Sequence, residues 1–382
     1  MSTALQPDED VVGQRVGIRI SIVCISLRSG GTERIVSRIA NHFSSRHDVN
    51  IITLARGETF FALEDGVQVS QPSHFVGRTV KPVRVLLQLA HVYFACRRLP
   101  SDLCLIFGED ISGPVTIAAR LGGVLRAWVF FRGSPERSLH GVNGLLNPVL
   151  CGFASRIIVQ TRSTADGLLR RYRFNKISVW SNPIEMPEVV RDMRARQLII
   201  VNVGSIGRLK NQEGLLRIYH SLERREQWHL LFIGDGPKRV LLEQQVEQLG
   251  MRASVQFCGQ RKDVGSELGR ASIFAFTSLS EGFPNALAEA LAAGCACVSY
   301  DCPTGPSELI QDGVNGFLVP LGDESLFALR LQQLIDDESL RSTFSAAGRD
   351  SMRRYEASAT MQKLEAMIAA GGRKRGRATC DS

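Results

Sequence analysis

The feature that most constrains this chain is a regular alternation of short β-branched runs with segments of helical period. It begins with VGIRISIVCI and GTERIVSRIANHFSSR, where Ile35, Val36, Ile39, Ala40 and Phe43 fall on one helical face. Strand candidates follow at VNIITL (49–54), LCLIF (103–107), AWVFF (127–131), RIIVQ (156–160) and ISVW (177–180). Parallel strands need a crossover between neighbours, so this alternation predicts a parallel sheet covered by helices. The stretch 181–197, with two prolines and then a charged run, lacks strand character and is expected to link domains. A second series follows: strands LIIVNV (198–203), HLLFI (229–233), SVQFC (254–258), SIFAFT (272–277) and ACVSY (296–300), and helices near 212–225, 238–249 and 285–293. After GFLVP (316–320) a helical stretch runs to about residue 369, with Leu326, Leu329, Leu331 and Leu334 as an apolar stripe. The expected architecture is α/β, with two doubly wound, Rossmann-like parallel-sheet domains over 1–188 and 189–369 and a basic disordered tail over 370–382.

Composition agrees with two cores: 382 residues, 44% apolar and 22% charged, exclude disordered and fibrous classes. No apolar run approaches the roughly 20 residues that span a bilayer. The acidic start MSTALQPDEDVVGQR does not read as a secretory signal, so a cytoplasmic chain is expected. The nine cysteines contain no C-x-x-C pair and are expected to be small buried hydrophobes, with no disulfide and no metal site. The net charge of +8 is concentrated early: residues 1–188 hold 22 Lys+Arg against 15 Asp+Glu, and residues 189–382 hold 24 against 23. A basic half suits a leaflet surface, a phosphorylated lipid or nucleic acid, and equally plain solubility.

Ligands of open α/β sheets bind beyond the carboxyl ends of the strands, so the loops that follow the strands hold the candidate chemistry. In SLRSGGTER, Gly30 and Gly31 allow close backbone approach before a helix opens, although a plain tight turn explains them as well. In VGSIGRLKNQ, Arg208 and Lys210 stand ahead of a helix start, a pairing that suits a diphosphate. FIGDGPKR has Gly234 and Gly236, but Arg239 stands where a dinucleotide fingerprint needs a small residue, which disfavours a nicotinamide site. The strongest signal is TSLSEGFPNALAEALAAG. It places Glu281 in a loop, Pro284 and Asn285 at a helix start, and Glu289 eight positions on, with backbone amides from Asn285 to Leu287 facing an anion. YDCPTGPSEL supplies another helix start after ACVSY.

The combination of GGTER, the KNQ segment at Lys210, FIGDGP, S-x-x-EGFPNALAEA and DCPTGPSELIQDGVNGFLVP resembles the retaining, nucleotide-sugar-dependent glycosyltransferases of glycosyltransferase family 4, over almost the whole chain. The DCPTGPSE form is closest to members that build bacterial O-antigen, exopolysaccharide or lipid-linked oligosaccharide. The resemblance implies a GT-B fold with two domains facing a cleft. It also implies a metal-independent hexosyltransferase that uses no cofactor and takes a UDP- or GDP-sugar as donor. By the same resemblance Lys210 and Arg208 neutralise the donor diphosphate, Glu289 binds the ribose and Glu281 contacts the sugar. Lys210 and Glu281 are thus the candidate catalytic residues. Backbone amides from Phe283 through Asn285 and Ala286 to Leu287 cradle the phosphates, Gly30 and Gly31 approach them, and Gly236, Gln260 and Arg261 line the base pocket. The implied partners are a nucleotide sugar and a saccharide or polyprenyl-linked acceptor, with the inner membrane surface as a place of work and no nucleic acid.

Two positions depart from the family pattern. Ser205 follows Gly204 where an arginine is common, and Arg132 in FFRGSPE stands where many members carry a histidine, with His140 farther along. Arg132 is read as an acceptor-phosphate ligand or as half of a surface ion pair. The stretch 81–99 suits an amphipathic helix lying on anionic lipid, or a helix packed on the sheet ahead of LCLIF. Two rival functions are a non-catalytic paralogue that binds nucleotide sugar and a nucleic-acid-binding protein. The second has no helix-turn-helix, RNP or zinc pattern behind it.

Overall fold

Thirteen strands form two sheets in the computed structural model, which describes residues 17–28, 30–108, 111–133, 149–172, 176–188 and 191–372. The acidic N-terminus, His140 and the basic end of the tail lie outside the described residues. The first sheet has the order β3-β2-β1-β4-β5-β6-β7. Its strands are β1 (Arg19–Cys24), β2 (Asp48–Thr53), β3 (Val67–Ser70), β4 (Leu103–Phe107), β5 (Ala127–Phe131), β6 (Arg156–Val159) and β7 (Ile177–Val179). Helices α1 (Gly31–Ser44), α2 (Lys81–Arg98), α3 (Ser112–Leu121) and α4 (Arg162–Tyr172) intervene. Ile22 of β1 stands opposite Ile51 of β2 on one side and Leu105 of β4 on the other. All three are fully buried, which is why these strands read as unbroken apolar runs.

The second sheet has the order β10-β9-β8-β11-β12-β13. Its strands are β8 (Gln197–Val203), β9 (His229–Ile233), β10 (Val255–Gly259), β11 (Ala271–Phe276), β12 (Ala296–Asp301) and β13 (Phe317–Pro320). The helices between them are α5 (Gln212–Ser221), α6 (Arg239–Gln248), α7 (Val264–Arg270), α8 (Asn285–Ala292) and α9 (Pro306–Leu309); α10 (Glu324–Asp336), α11 (Glu338–Met352) and α12 (Ala357–Gly372) close the series. Successive residues feed two separate cores. Ile200, Leu230 and Ile273 pack on one face with Tyr219 and Phe327, and Val201, Leu231 and Phe274 pack on the other with Leu287 and Leu291. Every pairing described in either sheet is parallel.

β1 is shorter than the VGIRISIVCI run, and the other expected strands are present within a residue at either end. Three elements escape the sequence reading: the four-residue strands β3 and β13, both at sheet edges, and the seven-residue α7. The helix expected over 212–225 stops at Ser221. Leu222 turns extended and Arg224 takes a left-handed φ of 54°, which a continuing helix excludes. The last helix runs to Gly372, slightly past the expected end.

The chain divides into two compact units whose limits fall inside β5, between Val129 and Phe130, with Phe153–Ser155 belonging to the first. The 181–197 stretch joins β7 to β8, but it is not a free tether. The Ile184 amide donates to the Tyr355 carbonyl (2.8 Å), the Ala357 amide donates to the Ile184 carbonyl (2.9 Å), and the buried Trp180 indole donates to the Thr360 carbonyl (2.9 Å). The eight described cysteines are free, and all but Cys258 are buried. No described helix is long and apolar enough to cross a membrane.

Candidate donor-binding site

Strand order reverses in the second sheet between β8 and β11, and the crevice beyond the carboxyl ends of such a pair is where an open α/β sheet accepts ligands. The loop after β8 carries Arg208 and Lys210, and the loop after β11 carries Glu281. Three polar side chains of the first loop explain the KNQ run. Asn211 adopts a left-handed φ of 51°, which asparagine tolerates, and its Oδ1 caps α5 by accepting from the Gly214 amide (3.3 Å). Gln212, 1% exposed, accepts from the Gly207 amide (3.3 Å) and donates to the Ser205 carbonyl (3.2 Å), bracing the turn from beneath. Lys210 is thereby held at the loop's open side.

Two further contacts fasten the loops together. The Thr277 hydroxyl donates to the carbonyls of Lys210 and Asn211 (both 3.1 Å), and the Leu279 amide donates to the Leu209 carbonyl (2.8 Å). They bring Lys210 Nζ to 2.5 Å from Glu281 Oε1. The side chains are 26% and 11% exposed, so the pair is partly withdrawn from solvent and its attraction exceeds that of a surface pair. The Lys210 ammonium also stands 5.4 Å from the Phe276 ring centroid.

Beyond Glu281 the chain runs tightly into α8. A Cβ at Gly282 would lie 2.0 Å from the Arg132 carbonyl oxygen, so only glycine fits there. The Thr304 hydroxyl donates to the Glu281 carbonyl, and Phe283 is buried edge-on against Tyr355, with ring centroids 5.8 Å apart. Pro284 caps α8. Ala286 and Leu287 lie in the first turn, where backbone amides lack helical acceptors. The Asn285 amide is already used, donating to the Phe283 carbonyl (2.9 Å), and its side-chain oxygen accepts from Asn182 Nδ2 (2.5 Å). Asn182 in turn accepts from Gln160 Nε2 (2.8 Å), a polar chain that fixes the first residue of α8 from the end of β6. Glu289 is half-buried on α8.

The structure places the remaining sequence-predicted site residues as follows. Gly236 is pressed against the first loop: a Cβ there would lie 2.3 Å from the Ile206 carbonyl oxygen. The Gly234 amide donates to the Gly259 carbonyl (2.9 Å), which sets the Gly236 loop beside the exposed Gln260 and Arg261. Arg239, which spoils the dinucleotide fingerprint, pairs with Asp235 (3.3 Å) and Glu243 (2.7 Å). Arg208 is exposed and has no ion pair with any described residue. Gly30 and Gly31 belong to the other unit, where they open α1 after β1, and the Glu33 carboxylate lies over Gly30.

Sequence reasoning missed Gln160, Asn182, Gln212, Thr277 and Thr304, which build the site through backbone and amide contacts. It also missed Glu308, whose carboxylate accepts from the amides of Arg162 (3.1 Å) and Ser163 (2.9 Å) and so caps α4. Thr304 and Glu308 lie within the DCPTGPSE run, which the sequence marks as a helix start and as part of the family resemblance without assigning either residue a role.

Comparison with known proteins now defines the class. The fold is the GT-B fold of glycosyltransferases. HepE of Anabaena, solved in complex with UDP and glucose, is 20% identical, matches 92% of this chain and all of that chain, and superposes with a TM-score of 0.78. The lipopolysaccharide outer core galactosyltransferase WaaB, in its apo form, matches 93% of this chain and all of that chain at 17% identity with a TM-score of 0.72. The "Glycosyl transferases group 1" model matches residues 190–351 and the "Glycosyltransferase Family 4" model matches 29–186. The chain belongs to this glycosyltransferase family. Among its relatives are the amylovoran biosynthesis glycosyltransferase AmsD of Erwinia amylovora, 25% identical over 84% of this chain and 90% of that protein. Another is the Campylobacter jejuni α-1,4-N-acetyl-D-galactosaminyltransferase named for an undecaprenol-diphosphate-linked GalNAc substrate, 25% identical over 92% of this chain and 98% of that protein.

Proposed function

We propose that this enzyme is a retaining glycosyltransferase that moves a hexose or N-acetylhexosamine from a UDP- or GDP-sugar to a saccharide carried on a polyprenyl lipid. It would act at the cytoplasmic face of the inner membrane, during assembly of a cell-surface polysaccharide or glycan. The observation that carries this reading is the Lys210–Glu281 pair at the β8/β11 switch point, beside the first turn of α8. A diphosphate entering there brings more negative charge than one carboxylate and displaces Glu281 from Lys210. The ammonium and the first-turn amides of α8 then stabilise the charge that grows on the departing nucleoside diphosphate. Glu281, once released, faces the hydroxyls of the sugar that moves. The departing diphosphate oxygen takes the acceptor's proton, so no separate base is needed, and Glu289 holds the ribose. The uridine diphosphate in the HepE complex and the lipid-linked acceptor in the name of the Campylobacter relative support these assignments. The working domains in this scheme are 1–188 and 189–369.

A thermal-shift panel of nucleotide sugars, followed by transfer assays on membrane extract with each binder, tests the proposal. A true donor at 100 times its Kd raises stability by about 2.7 kcal/mol. Binding without transfer for every donor would reject it.

A further inference from the structure

Arg196, the residue before β8, is 6% exposed, and among the described residues no carboxylate lies within ion-pair distance of it. A buried guanidinium is costly unless oriented dipoles surround it. Here the dipoles come from two helix ends. One terminal nitrogen donates to the carbonyls of Leu268 (3.3 Å) and Ala271 (2.8 Å), in the last turn and at the C-cap of α7. The other donates to the carbonyl of Ala293 (2.5 Å), the C-cap of α8. Nε donates to the Arg191 carbonyl (3.3 Å), and the buried Cys295 thiol shares the Leu268 carbonyl (3.2 Å). Carbonyls at a helix C-terminus lack intrahelical donors and form the negative end of the helix dipole, so one cation satisfies both helices.

The end of α8 is otherwise closed by the chain itself. Gly294 takes a left-handed φ of 78°, its amide donates to the Leu291 carbonyl (3.0 Å), and the Cys295 amide donates to the Ala290 carbonyl (2.9 Å). Arg196 then ties this turn to the start of β8. At the other end of β8, the Thr277 bonds to Lys210 and Asn211 and the Lys210–Glu281 pair fasten the loop that leads into α8. Both ends of α8 are therefore referred to a single strand. The helix has eight residues and is a rod about 12 Å long, so a slip at its C-terminus passes directly to its first turn. A cation at the C-terminus also balances the negative end of the dipole and leaves the positive end to a phosphate.

We propose that Arg196 is a positioning residue for sugar transfer. From the far end of α8 it aims the first-turn amides of Ala286 and Leu287 at the donor diphosphate. The inference rests on the donor site assigned above.

The test compares full-length Arg196→Met and Arg196→Lys with Arg341→Met. Arg341 is also buried and donates to two carbonyls, those of Leu334 (2.6 Å) and Ile335 (3.0 Å), but at the end of α10, away from the donor loops. Both methionine variants should unfold at lower urea than the parent. In calorimetry with uridine and guanosine diphosphate on the folded proteins, only Arg196→Met should bind about tenfold more weakly, the scale of one charge-assisted hydrogen bond. Arg196→Lys keeps the charge without the fork and should lose only about threefold. If Arg196→Met does not fold, parent affinity in Arg196→Lys overturns the proposal. Parent affinity in folded Arg196→Met, or an equal loss in Arg341→Met, overturns it as well. Binding that depends on Lys210 and not on Arg196 rejects this inference alone, and a parent that binds neither diphosphate rejects the donor site with it. Arg196-dependent binding in a parent that transfers no sugar rejects only the transferase assignment.

Discussion

The loops beyond β8 and β11 and those beyond β1, β2 and β3 occupy equivalent places at the carboxyl ends of their sheets, yet they handle charge in opposite ways. In the second sheet Lys210 is neutralised by Glu281 at 2.5 Å, and the loops are clamped by Thr277, Gln212 and backbone contacts that admit only glycine. In the first sheet Arg28, Arg56 and Arg84 share a cavity with no carboxylate. The first arrangement is organised by the chain's own counter-ion before any ligand arrives; the second has none among its lining residues. Preorganisation of the first kind suits a place where charge develops during reaction.

Removing the internal pair is the strongest challenge to that contrast. Lys210→Ala should lower kcat/KM by on the order of 10²–10³, as loss of one preorganised donor does elsewhere. It should also cost on the order of 1–3 kcal/mol of folding stability, because Glu281 stays partly buried without its cation. Parent-like turnover in a folded variant would remove Lys210 from the phosphates.

The two glutamates sharpen the same contrast. Glu289→Ala should weaken nucleoside diphosphate binding by on the order of tenfold, a uniform-binding loss seen mainly in KM. Glu281→Gln should depress turnover by on the order of 10–100-fold while diphosphate affinity holds or rises, since it frees Lys210 from its partner. Calorimetry with uridine and guanosine diphosphate, set beside transfer kinetics, separates the outcomes. Equal loss of diphosphate affinity in both variants would end the assignment of Glu281 to the sugar.

Smaller effects probe the clamp. Gly282→Ala puts a Cβ against the Arg132 carbonyl oxygen, a backbone atom that cannot swing aside, and should cost about 1–3 kcal/mol by denaturant unfolding. An unchanged midpoint would mean that the loop yields freely. Asn182→Ala strands the Gln160 amide and loosens Asn285, with an expected cost of about 1 kcal/mol and a modest rise in the donor KM. A variant with the parent's stability and KM would show that the polar chain does not position α8.

What was legible in the sequence follows the range of each interaction. By itself the sequence determined the alternation of strands and helices, the buried character of the strands, the helix start at Pro284–Asn285, the presence of Lys210 and Glu281 in loops that follow strands, and that of Glu289 on the helix opened there. All of these depend on local periodicity, turn chemistry and capping, which act within a few residues. The edge strand β3 (VQVS) has no buried residue and so left no apolar run to detect. Only the tertiary structure decided that β8 and β11 are neighbours, and therefore that Lys210 meets a carboxylate 71 residues away. The same holds for Arg28 and Arg56, which line one cavity because β1 and β2 lie side by side, and for Arg84, which α2 brings to it. Strand order arises from which apolar faces bury one another across the whole chain. No local spacing of residues encodes it.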